Sequence, residues 1–375
     1  MKVLYLHNIL WSRYRLTLFN ALASRLKKDD SMLVLQYAAT EKRRLFLQES
    51  LNSLIRHPYH LVYEGSYDDL SILRRSIVTL RYSVFFSFDI VVLTGYASIE
   101  SWIMLFISKI LRRKVLLAVD SSEFEFNPTS KLNLLKKFFL YFTDGALAYG
   151  KSSENLLKRL GYTSSIAHPF HCVSEDYYLY DQDLVVDQKK SAAEFGFMFI
   201  YVGRLSIEKG LLDLIESFSV AFGVRRDIFL RIIGAGPLQK ECELKIKELN
   251  VSNISLEGPL VTQDLTKVYA QANCLVLPST LEPWGLVVNE SLCLGTPVVV
   301  SNKCGCVPDL VELNKNAISF KAADRMDLQN ALEEAVRRFG HFDELRVREC
   351  MSFGRAYSPE RAANTFFQAL TVLSS

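Results

Sequence analysis

The sequence lacks any apolar run long enough to cross a bilayer. Its longest apolar stretch, residues 99–111, is interrupted by Glu100 and Lys109, whereas a span needs about 20 mostly apolar residues. It lacks the pattern of a secretion signal. MKVLYLHNILWSRYR has one early Lys, a short apolar run and no small-residue cleavage site, so it is expected to be a first strand. It lacks a disulfide framework. Seven cysteines are an odd number, and without a secretion signal they point to reduced thiols and a cytoplasmic setting, with the inner face of the cell membrane as the variant location. Cys304 and Cys306 form a lone CxC with no second pair and no nearby His, which argues against zinc. The Gly-rich turn that marks dinucleotide binding is missing after the first strand, which counts against a nicotinamide oxidoreductase. No nucleic-acid module accompanies the basic residues.

The net charge is only +3, but it is uneven. Residues 1–180 hold 23 Lys+Arg and 16 Asp+Glu, a balance of +7, and residues 181–375 hold 21 and 25, a balance of −4. Either the first half meets an anionic surface or ligand, or surface composition is merely scattered. With 49% hydrophobic and 23% charged residues, 375 residues suffice for two globular domains.

What is present is alternation of strand and helix. Continuous apolar strands are expected at 2–7, 32–37, 90–93, 115–119 and 145–149, with helices at 12–28, 98–111 and 152–160 between them. Ser12 is the expected N-cap of the first. Residues 168–194 break the pattern and read as a linker. Strands resume at 197–202, 229–233, 254–256, 274–277 and 298–301, separated by helices at 210–221, 237–249, 265–270 and 286–294. Unbroken apolar strands imply parallel sheets covered on both faces. The expected architecture is α/β, with two Rossmann-like doubly wound domains facing each other across a cleft. In such sheets ligands sit beyond the carboxyl ends of the strands.

The strongest candidates stand at such ends. In YVGRLSIEKG, Gly203 follows a strand, and Arg204 and Lys209 lie on the loop into a helix. Two cations beside a helix N-terminus suit a diphosphate; a solvated loop is the plain alternative. IIGAGP places Gly234 and Gly236 after a strand and Pro237 at a helix start. In EPWGLVVNE, Gly285 opens a helix whose first N–H groups, at Gly285, Leu286 and Val287, can hold phosphate oxygens. Carboxylates repel phosphate, so Glu282 and Glu290 would face hydroxyl groups if they touch the same ligand. A nucleotide sugar has both kinds of group. The alternative is that Glu282 is a solvated loop acid and Glu290 a surface helix residue.

VGRLSIEKG, IIGAGP, LEGPL, LVLPS, EPWGLVVNESLCLGTPVVVS and GCVPDLV occur in one order over residues 201–312. This segment resembles the donor-binding domain of glycosyltransferase family 4, the group 1 glycosyltransferases of GT-B fold, and its acids match that family's E-x7-E motif. HNILWSRYRLTLFNALA and YFTDGALAYGKSSENLLKRLG resemble segments of the family's first domain. YSPERAANTFFQALTVL looks like its C-terminal helix, which crosses back to that domain. The implied layout is an acceptor-binding domain at 1–170, a linker at 171–195, a donor-binding domain at 196–357 and the crossing helix at 358–375.

By this resemblance Gly203, Arg204, Lys209 and Gly234 lie at the donor diphosphate, and Glu282 contacts the donor sugar. Gly285, Leu286 and Val287 offer N–H groups, Glu290 holds ribose, and LEGPLV, with Pro259 and Leu260, lies against the base. The implied donor is a UDP- or GDP-sugar, with no obligatory metal or cofactor, and configuration is retained. The chain departs from its relatives where HNILWSRYR replaces a Gly-rich loop, which leaves Arg13 and Arg15 as alternative cations. It departs again in AVDSSEFEF, a stretch in which some relatives place a His; Asp120 ends a strand here. Asp120 is an acceptor-side candidate, or a polar strand end. His168 and His171, in HPFHC, have no third metal partner. DQD at 181–183 mimics a metal-binding motif of another fold, but no strand leads into it.

The expected activity is retaining transfer of a sugar to an acceptor hydroxyl in bacterial cell-surface polysaccharide, lipopolysaccharide or glycolipid synthesis. An epimerase, a phosphorylase and a non-catalytic sugar-nucleotide binder are the alternatives. KLNLLKKFFLYF at 131–142, KRR at 42–44 and RRK at 112–114 are basic and apolar. They read either as a membrane-surface patch suited to a lipid-linked acceptor or as packed helices with solvated basic rims.

Overall fold

The computed structural model describes residues 1–9, 13–42, 52–312 and 315–374. The expected N-cap Ser12 and the basic pair Arg43 and Arg44 lie outside the described residues. The chain divides into two compact units, Met1–Ser174 with Ser358–Ser375, and Glu175–Tyr357.

The first unit runs β1 (Lys2–Ile9), α1 (Arg13–Ala23), β2 (Ser31–Ala38), β3 (Tyr59–Leu61), α2 (Ile72–Phe85), β4 (Ile90–Thr94), α3 (Ile99–Ile110), β5 (Lys114–Val119), α4 (Leu132–Tyr141), β6 (Gly145–Ala148), α5 (Lys151–Arg159) and β7 (Ser165–Ala167). Its sheet has the order β3-β2-β1-β4-β5-β6-β7, and every pair is parallel. The continuous apolar strands have a direct cause. Leu4, Leu6, Val91 and Leu93 point into one core, and their neighbours Val3, Tyr5, Ile90 and Val92 into another. Side chains alternate faces along a strand, so a sheet covered twice needs apolar residues at both parities.

The second unit begins with α6 (Glu175–Tyr178) and α7 (Gln182–Ala192). It continues through β8 (Phe197–Val202), α8 (Leu211–Phe222), β9 (Ile228–Ile233), α9 (Gln239–Leu249), β10 (Ile254–Glu257), α10 (Thr262–Gln271), β11 (Cys274–Leu277), α11 (Leu286–Cys293) and β12 (Val298–Ser301). The series ends with α12 (Val307–Leu310), β13 (Ala317–Phe320), α13 (Arg325–Phe339) and α14 (Glu344–Arg355). The sheet order is β10-β9-β8-β11-β12-β13, again all parallel. The last helix, α15 (Pro359–Ser374), belongs to the first unit. There Ala362, Phe366 and Leu370 pack in one core with Leu18, Phe19 and Leu22 of α1.

The stretch read as a linker carries α6 and α7. Asp181 caps α7 by accepting from the N–H groups of Asp183 and Leu184, both at 2.9 Å, which is what the DQD sequence does here. The helix escapes a periodicity reading because one of its core positions is Lys189. That side chain is buried and donates to the carbonyls of Tyr269 (3.2 Å) and Ala272 (2.7 Å) and to the Thr296 hydroxyl (2.6 Å). Burial pulls its pKa down to about 7.

Phe366 is fully buried in the α1–α15 core. Phe366→Ala should therefore destabilise the protein by about 3–5 kcal/mol, read as a lower urea midpoint for unfolding of the first unit.

Candidate active site

In the second sheet the chain moves outward from β8 to β9 and β10, then returns to place β11 on the other side of β8. Strand order reverses between β8 and β11, the position at which open α/β sheets bind their ligands. The loop after β8 carries Gly203, Arg204 and Lys209. The loop after β11 carries Glu282 and Gly285.

These two loops are tied together. The Thr280 N–H donates to the Glu208 carbonyl at 2.9 Å, and the Thr280 hydroxyl to the same oxygen at 3.2 Å. Lys209 Nζ makes a direct ion pair with Glu282 Oε2, and both side chains are mostly buried. Ser279 Oγ donates to the same carboxylate oxygen at 3.3 Å. Arg204 is held one turn away. Its guanidinium donates to Glu208 Oε1 at 2.5 Å and to Ser206 Oγ at 3.3 Å, and Ser206 donates to Glu208 at 2.7 Å. Burial raises the Glu208 pKa, but hydrogen bonds from Ser206, its own backbone and Arg204 outweigh it and hold the carboxyl at about 2. Both cations thus stand opposite ready carboxylate partners.

Gly285 is the N-cap of α11 with φ of 101°, a left-handed conformation that glycine adopts without strain. No side chain caps this helix, so its first-turn N–H groups, at Leu286 and Val287, have no capping side chain to donate to. Trp284 Nε1 donates to Asn289 Oδ1 at 2.8 Å and pins the indole against the helix. One turn further, Glu290 Oε2 accepts from the Tyr269 hydroxyl at 2.9 Å. Burial pushes Glu290 up to about 7 despite that bond. It is a half-buried acid rather than a solvated helix residue.

Gly234, after β9, has φ of 145°, and a Cβ there would stand on the Gly203 carbonyl oxygen. Only glycine lets the loops after β8 and β9 approach this closely. Gly234 N–H donates to Glu257 at 3.2 Å, and so joins this loop to the end of β10. Pro259 and Leu260 follow β10 at the outer end of this row, Pro259 exposed and Leu260 half-buried.

Asp120 stands in the first unit, just past β5. It pairs directly with Arg15 of α1, a buried guanidinium lying 4.3 Å from the Tyr149 ring centre. Burial raises the Asp120 pKa, but the charge and hydrogen bond of Arg15, with smaller contributions from His171 and His7, together outweigh it and keep the carboxyl below its ordinary value. Arg15 is therefore committed to a neighbour rather than offered as a loose cation. His171 Nε2 lies 3.7 Å from Asp120, and His168 Nε2 lies 3.8 Å from Glu154, so the two histidines face different acids. Among the described residues, no group of three His, Cys, Asp or Glu could hold a metal, and all seven cysteines are buried and none forms a disulfide.

Two participants escaped the sequence reading. Glu208 sits four residues after Arg204, a spacing that brings side chains together on a helical turn and could have flagged it. Tyr269 lies 21 residues from Glu290 on another helix, and no local pattern connects them.

Three comparisons bear on this arrangement. Sucrose-phosphate synthase from Thermosynechococcus elongatus superposes with a TM-score of 0.73 over 100% of this chain and 99% of that one, at 17% identity. HepE of Anabaena, in complex with UDP and glucose, gives 0.72 over 99% of this chain and all of that one, at 16% identity. At such identities the likeness is one of fold, and that fold is GT-B, two parallel-sheet Rossmann-like domains. An uncharacterized glycosyltransferase from Methanocaldococcus jannaschii is 34% identical over 123 residues, 32% of this chain and 30% of that protein. The matches to curated relatives of this kind span less than half of each relative's length. Residues 186–344, within the second unit, match the family described as glycosyl transferases group 1.

Proposed function

We propose that the protein transfers a glycosyl group from a nucleotide sugar to an acceptor hydroxyl, with retention of configuration. One observation carries the reading. Arg204 and Lys209 after β8, and Glu282 and Gly285 after β11, converge where the second sheet reverses its strand order. UDP is the first nucleotide to test, because HepE is bound to it, with GDP-sugars beside it. A glycan or lipid-linked acceptor in cell-surface polysaccharide, lipopolysaccharide or glycolipid synthesis belongs to the same proposal.

The ion pairs suggest how such a site would work. Each cation is held by a carboxylate when no ligand is bound. A diphosphate carries more negative charge than one carboxylate, and would draw Arg204 from Glu208 and Lys209 from Glu282. Glu282 is then released to accept hydrogen bonds from sugar hydroxyls. The N–H groups at Gly285, Leu286 and Val287 would take phosphate or sugar oxygens. Gly203 and Gly234 would let backbone approach the diphosphate. Glu290 would hold the ribose hydroxyls, and Pro259 and Leu260 would lie against the base. As the glycosidic bond breaks, negative charge grows on the departing diphosphate. Arg204 and Lys209 then act more strongly on the transition state than on the bound donor. Asp120, ionised beside Arg15, is a weak base and suits a hydrogen bond to an acceptor hydroxyl.

Thermal-shift measurements with UDP, UDP-sugars, GDP and GDP-sugars test the reading, because a ligand bound to the folded state raises its melting temperature. No shift with any of them would overturn it. Arg204→Ala or Lys209→Ala should lower kcat by about 10²–10³-fold while changing donor affinity less. Steady-state kinetics that showed weaker donor binding at normal turnover would remove these residues from the chemistry.

Glu290 gives a prediction with opposite signs for binding and stability. Its pKa is about 7 in the folded protein and 4.5 ordinarily, so the folded state holds this proton more tightly. Its contribution to stability is therefore largest at acid pH and falls as pH rises through about 7. Glu290→Gln should remove that slope, melting higher than the parent at about pH 8 and nearly level with it at about pH 5. The same variant should bind UDP more weakly in calorimetry.

A further inference from the structure

Helices α2, α3 and α4 form one layer on the first sheet. Their inner sides meet in a shared core through Met104, Leu105, Phe139 and Leu140, with Val78 and Tyr82 packed against it. Buried Arg75 of α2 pairs with Glu100 of α3 at 2.8 Å, which locks the first two helices together. Trp102 of α3 meets Phe139 of α4 edge-on at 4.8 Å, and Phe106 lies 6.1 Å from Phe142, which locks the second pair.

The outer side of this layer should be polar, yet it is not. On α2, Leu73, Ile77, Leu80 and Phe85 are exposed, Phe85 at 84%. On α3 the same holds for Phe106 and Ile110. On α4 it holds for Leu132, Leu134, Leu135 and Tyr141, with Leu134 at 74% and Tyr141 at 82%. Single exposed apolar residues need no explanation, but a patch continuous over three adjoining helices does.

The charge on these helices is mostly positive. Arg74, Arg81, Arg112, Lys131 and Lys137 are exposed on the three helices and the turns beside them, while the acids of those turns are Asp89, which accepts from the Lys2 N–H at 2.7 Å, and Asp144, which pairs with Lys109 at 2.5 Å and lies 4.0 Å from Lys114. Neither α2 nor α4 contains an acid. The acid of α3, Glu100, is buried and already paired. A second copy of this face would set cations against cations, so self-association through it is disfavoured. Apolar side chains rimmed mainly by Lys and Arg match the interface of a bilayer with anionic headgroups. Among the described residues no helix is long and apolar enough to cross a membrane, so these helices would lie on the surface.

We infer that the outer face of α2, α3 and α4 binds membrane surfaces rich in anionic lipid. Every residue in the argument belongs to the first unit, so the inference stands or falls separately from the donor site of the second. The test is co-sedimentation of the full chain with phosphatidylcholine vesicles, with and without phosphatidylglycerol. Strong partitioning is expected on the anionic vesicles, weakened by salt, with at least tenfold less on phosphatidylcholine alone. Arg81→Gln with Lys137→Gln should weaken partitioning on the order of 30-fold, from about 1 kcal/mol per cation. Leu73→Ser with Phe85→Ser, and separately Leu132→Ser with Leu134→Ser, should each release the protein. The two pairs lie on different helices, so misfolding of one still leaves the other as a test. A thermal shift by nucleotide, unchanged from the parent, would show that the second unit is intact in each variant. The inference is overturned if the parent stays unbound on anionic vesicles or if neither apolar pair alters binding. It is also overturned if ultracentrifugation finds a dimer that the Leu73→Ser, Phe85→Ser pair abolishes, because a second copy would then cover the face.

Discussion

The ion pair between Lys209 and Glu282 joins the two loops on which the candidate site depends. One loop leaves β8, the other leaves β11, and the sequence separates them by the whole of α8 to α10. Side chains so far apart in the chain meet only because the strand order reverses between their strands. The double hydrogen bond from Thr280 to the Glu208 carbonyl repeats the connection through backbone. A mostly buried pair of charges is costly to desolvate, and removing one partner leaves the other stranded. In this arrangement each charge compensates the other.

Legibility in the sequence followed distance along the chain. Arg204, Lys209, Glu282 and Gly285 could be found because each stands a few residues beyond an apolar strand, where a parallel sheet presents its ligand loops. The strands themselves were visible because both faces are covered, so their apolar runs are unbroken. What stayed hidden depended on tertiary context. The Tyr269–Glu290 bond joins two helices, and the change of Glu290 from an ordinary acid to one that keeps its proton near neutrality comes from burial that spacing does not report. α7 was unreadable because Lys189 fills a core position with a charge, satisfied by two carbonyls and a hydroxyl. Arg15 looked like a free cation in the sequence, and only the fold supplies Asp120 as its partner.

The two units use polar groups differently. In the second, the paired charges Arg204–Glu208 and Lys209–Glu282 sit on the loops after β8 and β11. In the first, the Arg15 guanidinium is buried against the Tyr149 ring while its partner Asp120 is partly open to solvent. Its outer helices reverse the usual preference by showing leucine and phenylalanine to solvent. That choice is costly in water and becomes favourable only where something apolar covers it.

The first unit is discontinuous. Its core between α1 and the sheet is completed by Phe366 and Leu370, which the chain supplies only after all of the second unit. During synthesis the second unit has its full set of strands and helices before α15 emerges, whereas the first must wait with one side of its sheet only partly covered, by α1. Domains generally fold as units while the chain is made, and uncovered apolar surface is what chaperones and aggregation act on. The order of maturation is thus the reverse of the order of translation: the part of the protein made first is the part finished last.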